Sequence, residues 1–239
     1  ELLPGLTVGY QASDDLFVFA NSQRSLVPVQ IAQTTREGAV ANETAWNHEL
    51  GARLQVTPDL FSSATLFRID YEDQIQFNRS TSRFENLGET RHQGIELANR
   101  WNVNSQWELG LGYTFLDTEQ LSGDNKGNEL PNAPTHKVSA DAVYSYQAWD
   151  ASVNWVYVSE SYSDADNTEE ETSNGSAGEL PDYHLVTARV GRDFAVGGDR
   201  VLNLGLAVNN LLDEDYYFRG VDVSPVGRVP QPGRSFILE

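Results

Sequence analysis

The sequence predicts an all-β fold, a transmembrane antiparallel β-barrel, and three observations carry that prediction. Stretches of roughly ten residues with every-other-residue hydrophobicity recur along the chain, as barrel strands require. The gaps between them alternate strictly between short and long. Aromatic residues gather at the stretch ends, where a barrel meets the two membrane interfaces. Short gaps fall at Gln11–Asp15, Thr57–Asp59, Asn102–Gln106, Gln147–Trp149 and Ala195–Asp199. Long gaps fall at Arg24–Thr44, Glu72–Glu89, Thr118–Thr135, Ser159–Pro181 and Glu214–Gly233. A soluble sandwich has no reason to sort its gaps by length. An outer-membrane barrel does, with tight turns at the periplasmic rim and binding loops outside.

The expected strands, in order, cover 6–11, 15–23, 45–56, 60–71, 90–101, 106–117, 136–146, 149–158, 183–194, 200–211 and 234–239. In the third, Trp46, His48, Leu50, Ala52, Leu54 and Val56 alternate with Asn47, Glu49, Gly51, Arg53 and Gln55. Such period-two alternation puts the two sets on opposite faces. The sixth is the clearest, with Trp107, Leu109, Leu111, Tyr113 and Phe115 opposing Glu108, Gly110, Gly112 and Thr114. The seventh opposes Val138, Ala140, Ala142, Tyr144 and Tyr146 to Lys137, Ser139, Asp141 and Ser145. In the eighth, Trp149, Ala151, Val153, Trp155 and Tyr157 oppose Asp150, Ser152 and Asn154. The tenth sets Leu202, Leu204, Leu206 and Val208 against Asn203, Gly205, Ala207 and Asn209. In lipid the polar faces must point toward a lumen. Trp101, Trp107 and Trp149 stand by short turns and Trp46 by a long loop, as two opposite girdles would place them.

Composition bounds the chemistry. The 239 residues suffice for one large β domain. No apolar run of about 18 residues exists, so no helix can span a membrane. The mean hydropathy of -0.45 is compatible with a barrel, whose strands hide their lipid face by alternation. No cysteine is present, which removes disulfides, thiolate nucleophiles and cysteine metal sites. The formal charge of -19 excludes nucleic acid as a partner, since nothing would neutralise phosphates. Single-chain bacterial barrels have an even strand number. An odd count, with the last alternation barely begun at Glu239, leads us to expect an internal or C-terminal piece of a larger barrel.

Four segments then point to a family. Gly88-Glu89-Thr90-Arg91-His92-Gln93-Gly94-Ile95-Glu96 has the form G-x-x-x-x-x-G-x-E. Leu130-Pro131-Asn132-Ala133-Pro134-Thr135-His136-Lys137 carries P-x-x-P-x-H-K. Asn210-Leu211-Leu212-Asp213-Glu214-Asp215-Tyr216, preceded by Asn209, follows N-L-F/L-D-x-x-Y. Gln231-Pro232-Gly233-Arg234 carries P-G-R. In this order and spacing they resemble the C-terminal half of TonB-dependent outer-membrane receptors, closest to the ferric citrate and ferric siderophore receptors through Thr90-Arg91-His92 and Pro28-Val29-Gln30. The resemblance covers essentially the whole chain, residues 1–239. It implies about eleven C-terminal strands of a plugged barrel of about 22 strands. The plug, the TonB-contacting segment and the first strands would lie elsewhere. The motif residues Gly94, Glu96, Pro134, Asn209, Asn210, Asp213, Tyr216, Gly233 and Arg234 are expected to build the barrel rather than to touch ligand.

The resemblance also implies import of a ferric siderophore, with ferric citrate leading, by loop binding and TonB-energised plug displacement. Iron would arrive as a finished chelate, so neither a resident cofactor nor protein metal ligands are expected, and no covalent chemistry makes the protein an enzyme. An anionic chelate suits arginine, whose planar fork meets carboxylates bidentately. The expected contacts are Gln30 and Gln33 in the first long loop and Gln76, Asn78, Arg79 and Arg83 in the second, with Arg24 and Arg36 as further loop candidates. Other expected partners are the TonB complex, outer-membrane lipid and lipopolysaccharide. The alternative is a passive porin or a surface adhesin on the same barrel.

The fourth long loop is acidic, with no Lys or Arg between Lys137 and Arg189. It reads as a solvated surface, a divalent-cation bridge to lipopolysaccharide, or an attractor of a cationic substrate. Asp164, Asp166 and Thr168 have partial calcium-loop spacing, but Glu169 stands where the turn needs glycine. His48, His92, His136 and His184 fall on four different strands, without metal-ligand spacing. No nucleophile elbow, P-loop or dinucleotide fingerprint occurs.

Overall fold

The computed structural model describes residues 2–30, 40–78, 83–86, 88–173, 177–198, 200–219 and 228–239. In chain order its strands are β1 (Gly5–Gln11), β2 (Leu16–Val27), β3 (Glu43–Thr57), β4 (Leu60–Glu72), β5 (Ile75–Asn78), β6 (Arg83–Asn86), β7 (Thr90–Asn102), β8 (Trp107–Gln120), β9 (His136–Tyr146), β10 (Trp149–Val158), β11 (Ser161–Tyr162), β12 (Glu179–Leu180), β13 (Tyr183–Ala195), β14 (Val201–Asn209), β15 (Tyr217–Arg219), β16 (Arg228–Pro230) and β17 (Ser235–Leu238). Eleven form one sheet in the order β1-β2-β3-β4-β7-β8-β9-β10-β13-β14-β17. Each pairs antiparallel with its neighbours in the chain, so the sheet is a plain meander. These are the eleven strands the alternation marks out. Some ends differ: β2 runs on to Val27, β8 runs on to Gln120, and the last two strands are shorter than expected. The long gaps hold three hairpins that alternation misses, β5–β6, β11–β12 and β15–β16, because strands of two to four residues are too short to show a period.

The short gaps close by local chemistry. Asn104 Oδ1 accepts the backbone N–H groups of Gln106 (2.8 Å) and Trp107 (3.1 Å), an Asx-type turn that hands the chain directly to β8. Ser13 Oγ accepts from Leu16 N at 3.1 Å. Gln147 takes a left-handed φ of 54° in the two-residue turn between β9 and β10, where such turns need positive φ.

One sheet face is apolar and uncovered. Leu50 is 58% exposed, Leu66 51% and Leu204 51%. In a soluble sandwich these would be the buried layer. Among the described residues no second sheet lies over them, and lipid is the solvent that makes such a face stable. The opposite face carries charged side chains along its length, whereas the apolar face carries them mainly toward the long loops. Arg100 pairs with Glu108 (2.6 Å) and Asp141 (3.2 Å), and Arg189 with Asp150 and with Glu239 (3.0 Å). This is the lumen face.

Glycine recurs there because the wall is crowded. A Cβ on Gly94 would stand 1.9 Å from the Phe115 carbonyl oxygen and 2.9 Å from the Phe67 ring. Gly94 is thus a point of close backbone approach between β7 and β8.

Candidate functional site: the long-loop rim

All the long connections emerge at one end of the sheet, and side chains lace them together. Asn86 on β6 accepts from Ala41 N (2.8 Å) and donates to the carbonyls of Ala41 and Asp73, which joins the first long loop to the second. Glu43 Oε1 accepts Ile75 N at 2.6 Å across the same seam. Asn167 holds Glu129 through both its amide groups, and Asn128 donates to the Ala165 carbonyl (2.9 Å), so the third loop meets the fourth. Arg228 on β16 donates to the Glu179 carbonyl (2.6 Å), pairs with Glu171 (3.0 Å) and lies over the Tyr217 ring at 5.4 Å. That ties the fifth loop to the fourth. Each lace satisfies backbone groups that the loops cannot pair in a ladder.

The expected ligand residues are only partly brought together. Gln76 and Asn78 lie on β5 and Arg83 on β6, where Asn78 pairs in register with Arg83 and Gln76 with Glu85. Gln30 is exposed in the neighbouring first loop. Gln33, Arg36 and Arg79 lie outside the described residues. Arg24 corrects the expectation of a loop contact. It is in β2, in register with Trp46 on the lipid-side face, and pairs with Glu72 at 3.2 Å. The reason is the four extra residues of β2, which carry Arg24 into the wall.

The motif residues are structural in geometry. Asn210, at φ 49°, donates to the carbonyls of Glu214 (2.9 Å) and Pro232 (3.3 Å) and accepts from Glu214 N. Asp213, at φ 59°, accepts both the backbone N–H and the guanidinium of Arg234 at 2.9 Å. Asn and Asp tolerate this left-handed backbone better than other side chains. Arg234 holds the Asp213 carboxyl below the usual carboxylate range, first through its backbone N–H, then through its side chain. A Cβ on Gly233 would meet Asp213 Oδ1 at 3.3 Å. Asn209 Nδ2 donates to Ser235 Oγ at 3.4 Å. Pro134 precedes β9, where its missing N–H costs no ladder bond. Glu96 lies on the lumen face of β7, in register with Thr65 and Thr114.

Tyr216 and Phe218 in the fifth loop gather against Tyr183 of β13, with ring centroids 5.0 Å and 6.5 Å from it. Arg228 was missed altogether, because its partners lie about fifty residues upstream and no local pattern announces them. In the acidic loop, Asp164 serves its own backbone, accepting from Asp166 N (3.0 Å) and Gly178 N (3.3 Å). Glu129 beneath it is pushed up by burial and then by the charges of Asp117, Glu160 and Glu179. Among the described residues no group of three His, Cys, Asp or Glu is arranged to hold a metal ion.

Five described arginines at this end are each held by a carboxylate: Arg24 by Glu72, Arg68 and Arg91 by Asp70, Arg228 by Glu171 and Arg234 by Asp213.

Comparison with known proteins agrees with this architecture. A family model described as TonB dependent receptor-like, beta-barrel, matches residues 1–211. The metal-pseudopaline receptor CntO of Pseudomonas aeruginosa is 29% identical over 226 residues, which is 90% of this chain and 30% of CntO. The probable TonB-dependent siderophore receptor PiuA of Acinetobacter baumannii is 23% identical over 228 residues, 89% of this chain and 27% of PiuA. The crystal structure of the ferric citrate transporter FecA in its unliganded form superposes with a TM-score of 0.83 at 30% identity, covering 99% of this chain and 37% of FecA. The chain thus spans less than a third of the two curated relatives.

Proposed function

Since the chain belongs to the TonB-dependent receptor β-barrel family, we propose that it forms the C-terminal wall and rim of an outer-membrane importer of ferric siderophores, with ferric citrate the first candidate. The protein is an outer-membrane barrel, and its family is one of receptors rather than enzymes. Residues 1–239 are then the C-terminal part of the barrel domain. A plug and a TonB-contacting segment, supplied by the rest of the protein, complete the machine. The chelate binds at the laced loops, the loops close over it, and plug displacement driven through TonB lets it pass. Iron is cargo here, already coordinated, and the protein offers charge and hydrogen bonds instead of metal ligands.

The observation that carries the citrate reading is the likeness to the ferric citrate transporter over nearly the whole chain. Gln30, Gln33, Gln76, Asn78, Arg79 and Arg83 are the proposed contacts. The similarity to CntO supports a second reading, a metal–pseudopaline chelate in place of ferric citrate. A passive porin or adhesin is the weaker reading, because it gives the family match no role.

The test is a tryptophan-fluorescence titration of the intact receptor with ferric citrate, with iron-free citrate and a ferric hydroxamate as controls. Saturable quenching by ferric citrate alone, weakened by Arg79→Ala, supports both substrate and site. An equal response to every ligand, or none, removes both.

A further inference from the structure

Three arginines of the wall stand on its lumen face: Arg53 on β3, Arg100 on β7 and Arg189 on β13. Two of them are each held by a pair of carboxylates, Arg100 by Glu108 and Asp141 and Arg189 by Asp150 and Glu239. Arg53 is different. Among the described residues no carboxylate pairs with it, and its guanidinium lies over the Phe19 ring, 5.4 Å from the centroid.

The sequence builds a pedestal for this side chain. Gly51 is in register with Phe19, and a Cβ there would collide with the ring, so the missing side chain lets the ring lie flat on the wall. Phe17 stands directly across from Arg53 and stacks on Phe19 at 6.3 Å. It covers Gly9 in the same way, where a Cβ would stand 2.6 Å from its ring. Two phenylalanines on the lumen face depart from the polar interior that a barrel ordinarily has. A cation–π contact fixes the guanidinium plane without neutralising its charge. The exposed N–H edges of Arg53 are left to the lumen.

The neighbouring wall gives an anion room. The lateral row from Arg53 continues through Ser63, Ala98, Gly112 and Ser139, all small and uncharged. A recess of about 340 Å³ opens along this row. Lys137 lines it from β9, exposed and without an ion pair among the described residues. Glu96 lines it from β7, so an anion is accepted best at the Arg53 end. At about 3.3 Å per residue, Arg53 is about 13 Å from the short-turn end of β3 and about 33 Å from its long-loop end. It is therefore too deep to touch a chelate seated among the loops.

We propose that Arg53, on its phenylalanine pedestal, is a transit site for an anionic chelate, which it receives after the cargo leaves the loops and before it reaches the periplasmic mouth. The free fork meets a carboxylate of the cargo bidentately, in a wall whose other two arginines are already engaged. This inference rests on the import of a carboxylate chelate proposed above.

The test separates binding from passage in the intact receptor. Equilibrium binding of ferric citrate is read by fluorescence titration, and energised uptake of radiolabelled ferric citrate by the initial rate in cells. Entry of a bulky glycopeptide antibiotic without energy reports whether the lumen stays closed. Arg53→Ala should lower the uptake rate about tenfold, the loss of one charge-assisted contact, with binding and antibiotic entry unchanged. Arg53→Lys should recover part of the rate, since it keeps the charge and loses the fork. Full uptake by a folded Arg53→Ala receptor overturns the proposal alone. So does an equal loss of binding, which would make Arg53 part of the loop site, or a rise in antibiotic entry, which would make it a plug contact. A wild-type receptor that does not import ferric citrate overturns the proposal together with the import reading. If heat-modifiable gel mobility shows that Arg53→Ala does not fold, Arg53→Gln, which keeps a long stem over Phe19, takes its place with the same expected outcomes.

Discussion

Asp213 shows how one carboxylate fixes the exit of a loop. It accepts two donors from Arg234, and their pull lowers its proton affinity in the folded state. A depressed carboxyl stabilises above its ordinary range, and that stabilisation is lost as pH falls through its folded-state value. Amide exchange at Arg234 should therefore quicken in acid. In Asp213→Asn it should be fast already at neutral pH and lose that acid step. Gly94 is the other residue-scale case. A methyl group there collides with backbone, not with the end of a flexible side chain. Gly94→Ala should cost about 1–3 kcal/mol, the usual price of overpacking, and lower the temperature at which the intact receptor loses its compact gel mobility. A glycine inside an alternating strand marks Gly94 as special in the sequence; only the 1.9 Å approach to Phe115 says why.

At the scale of elements, the loops behave as a linked set. Removing Arg228 cuts a charge pair, a carbonyl contact and a ring contact at once. Limited proteolysis within residues 159–181 should then speed up several-fold in Arg228→Ala, by about the loss of one charge-assisted bond, and Arg228→Lys should recover only part of it. Glu129 gives the same seam a pH dependence. Its raised proton affinity means that the packed state binds the proton more tightly than the open one. Packing of the third loop on the fourth is then favoured at low pH and weakens as pH rises from the ordinary carboxylate range through the raised value. Exchange at Asn128 and Glu129 should rise over that window in the wild type and stay flat in Glu129→Gln. The pairs of Arg228 with Glu171 and Glu179 and of Glu129 with Asn167 are not legible locally, because each joins residues tens of positions apart.

At the scale of the whole molecule, the charge balance of residues 1–239 bears on the proposed chelate binding. A chain of net charge -19 whose rim arginines are largely engaged by its own carboxylates is a poor attractor of anions at a distance. If ferric citrate is the substrate, as proposed, its binding should tighten as salt is raised from about 10 mM to about 150 mM, where the Debye length falls from about 30 Å to about 8 Å. A fluorescence titration at the two salt concentrations measures this directly; a cationic chelate would show the opposite trend.

The sequence by itself determined the eleven wall strands, the end of the sheet that carries the loops, and the lipid and lumen faces. Those properties follow from period-two alternation and gap length, which are local and survive in one dimension. Tertiary structure alone decided that Arg24 belongs to the wall, that Arg228 clasps two loops, and that Arg68 and Arg91 share Asp70. Lateral register between strands sets those partnerships, and no single strand carries the information that fixes it.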